Sequence, residues 1–103
     1  MTDFEKKIEN EIVEKGLIAL RLTPAKIDTL IVKEEYHVFE SSNLTVCCLT
    51  LQNDFVVVGE SACISAANYD LKLGRKISKK NARKKIWQLE SYLLKQQLHD
   101  NKV

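Results

Sequence analysis

Backbone-breaking residues are scarce in this chain, which has three glycines and one proline among 103 residues. Internal repeats, low-complexity tracts and linker-like stretches are missing as well. Nothing divides the chain, so one domain over residues 1–103 is the expectation. No apolar run approaches the roughly 20 residues that span a bilayer. The opening stretch MTDFEKKIENEIVEKG is charged and helical in character rather than signal-like, so the expected location is the cytoplasm. The three cysteines include the adjacent pair Cys47 and Cys48 and offer neither an even disulfide framework nor a C-x-x-C metal spacing. Reduced thiols and no metal are expected.

Catalytic signatures are also lacking. There is no Gly-rich phosphate loop, and Ser61 lacks the G-x-S-x-G elbow. His37 and His99 lie far apart in sequence and context, and Glu34, Glu35 and Glu60 have no spacing that selects them as an acid and base pair. The chain reads as a non-enzyme with no cofactor.

What is present is enough for a core. A hydrophobic content of 45% separates the chain from disordered ones, which lack the apolar groups to offset backbone entropy. A domain this small buries only about two thirds of the surface its unfolded chain exposes, so an added interface between copies would help it.

The elements follow from periodicity. Phe4, Ile8, Ile12 and Val13 recur at helical spacing between Thr2 and Glu14, with Gly16 as a stop, and residues 1–22 form a helical extension. Thr23 can cap a short helix opened by Pro24 and carried through Ile27 and Leu30. From Val32 to Ile64, β-branched, aromatic and small apolar residues predict three antiparallel strands, with turns at Ser41–Asn43 and Gln52–Asp54. Cys47 and Cys48 then point to opposite faces.

A long helix follows to about His99, capped by Asn68 or Asp70 and interrupted locally at Gly74. Residues 99–103 are expected to fray. The fold class is α+β: a small antiparallel sheet between an N-terminal helix and a long C-terminal helix. On a wheel of 100° per residue, Ala82, Ile86, Leu89 and Leu93 share one face and Trp87, Leu94 and Leu98 a second. An arc this broad is either a wide core face or a helix packed between its own sheet and another subunit.

Charge is unevenly spread. Residues 1–40 carry nine acidic and six basic side chains, whereas residues 72–85 carry eight basic and none acidic. Lys72, Arg75, Lys76, Lys79, Lys80 and Arg83 fall in one helical stripe with no acid at i+4, a surface for an anionic partner or a face kept for solubility. Beside it runs GESACISAANYD, where a strand end leads into a helix start and free backbone N–H groups suit phosphate. Here Tyr69 could stack on a base, Asn68 and Asn81 could read a base edge or ribose, and Arg75 and Arg83, with Lys76, could clamp phosphate. Each has a plainer alternative: Tyr69 as a staple, Asn68 as a cap, Asn81 as an ordinary helix residue.

The stretches LTVCCLTLQNDFVVVGESACISAANYD and LGRKISKKNARKKIWQLESYLL resemble a family of small uncharacterised phage and prophage proteins, over about residues 23–98. Residues 1–22 lie outside the resemblance. The same sequence style is similar to the first class of phage Thoeris anti-defence proteins, oligomeric sponges that bind cyclic ADP-ribose isomers, and in some members cyclic oligonucleotides, without destroying them. The resemblance implies a homo-oligomeric helical bundle in the bacterial host cytoplasm. Its nucleotide ligand would be held between subunits by Asn68, Tyr69, Arg75, Lys76, Asn81 and Arg83, with Ile86, Trp87, Leu94 and Leu98 at the subunit interface. Two other readings stand beside it: a phage accessory protein whose basic helix lies along nucleic acid, and an inhibitor of a host protein acting through the Trp87, Leu94 and Leu98 face.

Overall fold

Thr2 and Glu5 begin the first helix as a reciprocal pair. The Thr2 hydroxyl accepts from the Glu5 N–H at 3.1 Å, and the Glu5 carboxylate accepts from the Thr2 N–H at 3.0 Å, a capping box that satisfies two end donors at once. Helix α1 runs Asp3–Glu14 and ends before Gly16, whose φ of 68° suits a residue without a side chain. The Thr23 hydroxyl caps α2, Pro24–Leu30, through the Lys26 N–H at 3.2 Å, with Pro24 in the first turn as its sequence position predicts.

The computed structural model describes residues 1–17 and 20–101, with the backbone alone at Ala66. Three strands follow α2: β1 Ile31–Phe39, β2 Leu44–Leu51 and β3 Val56–Ala62, antiparallel in the order β1-β2-β3. Both turns fall where expected. Asn43 closes the first at φ 49° and Asp54 the second at φ 69°, and Asn and Asp are the non-glycine residues that best tolerate this region. Helix α3, Leu71–Asp100, completes the α+β fold. Its first turn is capped by Asp70, whose carboxylate accepts from the Leu73 N–H at 3.0 Å. His99 and Asp100 were expected to fray but are its last helical residues; residues 102–103 of the expected frayed tail lie outside those described.

One face of the sheet is covered by α3. Strand β2 alternates strictly, burying Thr45, Cys47, Leu49 and Leu51, and these join Ile27, Val57, Ala82 and Ile86 in the core. The helix meets the sheet through every fourth residue: Gly74, Ser78, Ala82 and Ile86 are all buried. The row grows from no side chain to a large one, and the backbones lie closest where Gly59 of β3 meets Ser78 and Ala82. A Cβ on Gly74 would stand 2.8 Å from Thr45 Oγ1, and one on Gly59 would fall on the backbone of Ser78 and Ala82. Gly74 therefore does not interrupt the helix; it is where the helix settles on the sheet.

Thirty residues of α-helix span about 45 Å, while strands of seven to nine residues span about 25–30 Å. The helix outruns the sheet, consistent with a molecular length of 56 Å. Of the four residues that share the first helix face, only Ala82 and Ile86 are buried; Leu89 and Leu93 are exposed.

Candidate anion-binding surface on the long helix

The basic stripe divides into two groups. Arg83 is nearly buried, at 6% exposure. Its Nη1 donates to both Glu5 oxygens at 3.2 Å and its Nη2 to Asp28 Oδ1 at 2.9 Å, so one guanidinium ties α1 and α2 to α3. It is not free to clamp phosphate, which corrects its assignment as a ligand residue. Lys79 pairs with Glu34 at 2.9 Å, and the Arg75 guanidinium sits 5.3 Å from the centre of the Tyr36 ring. One charge and one ring of β1 thus meet two more members of the stripe.

This Arg75–Tyr36–Glu34–Lys79 cluster was not legible beforehand, because which β1 residues face α3 depends on the register that sets Tyr36 opposite Cys47 and Glu34 opposite Leu49. The Tyr36 hydroxyl donates to Glu34 at 2.7 Å. Lys79 first, then that hydroxyl, hold the Glu34 carboxyl below the usual carboxylate range. Burial, reinforced by Glu34, pushes the Tyr36 hydroxyl up, and burial likewise raises the Cys47 thiol.

Lys72, Lys76 and Lys80 remain, and Lys84 continues their i+4 row. All four are exposed and none forms an ion pair among the described residues. At the strand-to-helix junction Asn68 is exposed and Tyr69 half-buried. The Asn68 carbonyl accepts from Cys63 Sγ at 3.7 Å, and its N–H donates to the Ser65 carbonyl at 3.0 Å. Asp70, not Asn68, is the cap, so a carboxylate already occupies the helix N-terminus where phosphate was expected.

Asn81 has the plainer of its two roles. Its Nδ2 donates to the Glu60 carbonyl at 2.8 Å and pins α3 to strand β3. Of the six expected ligand residues, then, Asn68, Tyr69, Arg75 and Lys76 lie toward the start of α3, while Asn81 and Arg83 serve the fold.

The expected interface residues also separate. Ile86 is fully buried in the protomer's own core and cannot meet a partner, and Trp87 packs against that core. Leu94 is half-buried and Leu98 exposed on the overhang. Trp87 also helps line a cleft of about 730 Å³ between α1 and α3, with Phe4, Ile8 and Ile12 opposite. Helix α1 has no buried residue of its own. It is held by Arg83 and by Arg21, which grips both Glu9 oxygens at 2.6 and 2.8 Å. That grip lowers the Glu9 carboxyl below its ordinary range.

Residues 22–98 match the model of the phage protein (N4 Gp49/phage Sf6 gene 66) family. The chain belongs to that family. The matched span runs from just before α2 almost to the end of α3, so the family core is the sheet with its two adjoining helices, and α1 is an addition outside it. No curated protein and no solved structure matches the chain. Among the described residues there is no group of side chains able to hold a metal ion, and no helix is long and apolar enough to cross a membrane.

Proposed function

We propose that this phage-family protein is a non-catalytic binding protein that sequesters a small nucleotide signal, a cyclic ADP-ribose isomer or a cyclic oligonucleotide, in the host cytoplasm. The observation that carries the reading is the row of lysines without an ion-pair partner among the described residues, Lys72, Lys76 and Lys80, on the same part of α3 as Arg75 and close in sequence to Asn68 and Tyr69. Ammonium groups without protein partners attract phosphate, an aromatic ring can stack on a base, and an exposed amide can read its edge. The resemblance of the sequence to anti-defence sponges favours a small nucleotide over other anions.

The site is open within one protomer. Asn68, Tyr69, Arg75 and Lys76 line neither the α1–α3 cleft nor the groove between β3 and α3. Enclosure of a ligand therefore calls for a second subunit, as in a homo-oligomeric sponge.

Native mass spectrometry of protein purified from bacteria running a nucleotide-signalling defence system tests the reading. An oligomer with a nucleotide-sized adduct, released intact on denaturation, is the expected result. Arg75→Ala with Lys76→Ala should weaken the captured ligand by about tenfold or more, the scale of one or two charge-assisted contacts. A ligand-free protein from such cells would overturn the proposal.

Nucleic-acid binding is the second reading, and the same lysine row favours it. Its mark would be affinity that grows with polymer length and falls steeply with salt.

A further inference from the structure

The face of the sheet turned away from α3 is more apolar than a solvated face should be. An antiparallel sheet covered on one side normally alternates apolar inward with polar outward. Here the outward positions of β2 are Leu44, Val46, Cys48 and Thr50, and those of β3 are Val56, Val58, Glu60 and Ala62. Strand β1 adds Lys33, Glu35, His37 and Phe39 to the same side. Phe39, Val56 and Val58 are left 48%, 46% and 38% exposed by the described residues.

We propose that this face is a dimer interface whose occupant is the same face of a second copy, with the two-fold axis parallel to the strands. Each β2 then lies on its counterpart, and each β1 lies over the partner's β3. A two-fold interface must be complementary to itself, and the distribution of charge meets that condition. The central strand carries no charge on this side, and all charged groups stand on the two edge strands.

Along β1 the polar groups are already matched: Lys33 pairs with Glu35 at 3.4 Å, and the His37 and Phe39 rings meet edge to face at 4.4 Å. Glu60 is different. It has no ion-pair partner among the described residues and lies in one row with Val46 and His37. The strand-parallel axis places His37 opposite the partner's Glu60, whereas an axis across the strands would set that carboxylate over Val58.

Twelve outward residues fall short of the roughly 20–30 per side of a stable interface. The patch continues round the β3 edge, however, where Phe55, Val56 and Val58 share a groove with Leu89 and Tyr92 of α3. This surface lies opposite the α3 face where the sequence places the interface. The inference does not depend on nucleotide capture, since it rests on the sheet alone.

Sedimentation velocity on the full chain at micromolar concentrations tests it. The expected result is a dimer or a multiple of dimers, halved in stoichiometry by Val46→Glu with far-ultraviolet dichroism unchanged. His37→Glu should weaken association by about tenfold through repulsion of the partner's Glu60, and His37→Glu with Glu60→Lys should restore it to within about threefold. Both positions are exposed on edge strands, so these variants carry the decision even if Val46→Glu does not fold. A wild-type monomer at about 100 µM, a folded Val46→Glu that assembles as tightly as wild type, or a double variant that stays as weak as His37→Glu would each overturn the proposal.

Discussion

Thr45 and Arg83 show how far a polar residue's role depends on what lies above it. The Thr45 hydroxyl is buried beneath Gly74 with no hydrogen-bond partner among the described residues. A stranded polar atom costs about 1–3 kcal/mol, and an apolar group of the same shape removes that cost. Thr45→Val should therefore be neutral or stabilise by about 1 kcal/mol in urea denaturation, although most core changes destabilise. Arg83 is the opposite case, a buried charge with both partners in place. Arg83→Ala should cost about 1–3 kcal/mol by the same measurement. That is less than the ~3–5 kcal/mol of a fully buried pair, because its partner Asp28 is 41% exposed. Arg83→Lys should recover only part of the loss, since an ammonium cannot serve Glu5 and Asp28 with a planar fork. At both positions the sequence offered a residue type, and the neighbour that decided its role came from another element.

Among the elements, α1 is the one held by charge rather than by burial. Phe4 is 73% exposed, and the helix is anchored by Arg21 on Glu9 and Arg83 on Glu5. The Glu9 carboxyl is depressed in the folded state, as is that of Glu34 between β1 and α3. A depressed carboxylate stabilises the fold fully above its unfolded pKa of about 4.3. Its contribution fades as pH falls from there through the lower folded value. Acid titration should therefore loosen α1 and the β1–α3 contact below about pH 4.5. Trp87, which lines the α1–α3 cleft, should show the change as a red shift in fluorescence before the sheet's circular dichroism is lost. A Trp87 signal constant until global unfolding would show that apolar contact, not charge, holds α1. The amphipathic pattern of residues 4–13 marked this helix in advance, but its ion-pair anchoring required the positions of Arg21 and Arg83.

For the whole molecule, the number of free cations decides what the long helix can attract. Neutralising Z phosphates on duplex DNA gives a slope of about −0.9Z in log K against log salt, so six aligned cations would give about −5.4. With Arg83 buried and Lys79 on Glu34, the aligned cations without an ion-pair partner among the described residues are Lys72, Lys76, Lys80 and Lys84, with Arg75, which keeps its charge over the Tyr36 ring. The expected slope is no steeper than about −4.5, measured by fluorescence anisotropy on duplex DNA. A slope beyond −5 would mean that Lys79 leaves Glu34 to bind nucleic acid.

The α+β class, both strand turns and the Thr23–Pro24 helix start were legible from the sequence because each rests on neighbours within a few residues. Caps, turns and periodicity are local physics, written in adjacent side chains. The fate of the basic stripe was not local. A helical wheel aligned Arg75, Lys79 and Arg83 with Lys72, Lys76 and Lys80, but it could not show that Glu34, Glu5 and Asp28 would arrive from other elements to pair with Lys79 and Arg83, or that the Tyr36 ring would lie against Arg75. Nor could it distinguish the two sides of the alternating β2, both apolar, until α3 covered one and left the other open. The sequence by itself determined which segments are helix and strand; only the tertiary structure decided which charges and which apolar face remain for a partner, because pairing and burial are settled between residues far apart in the chain.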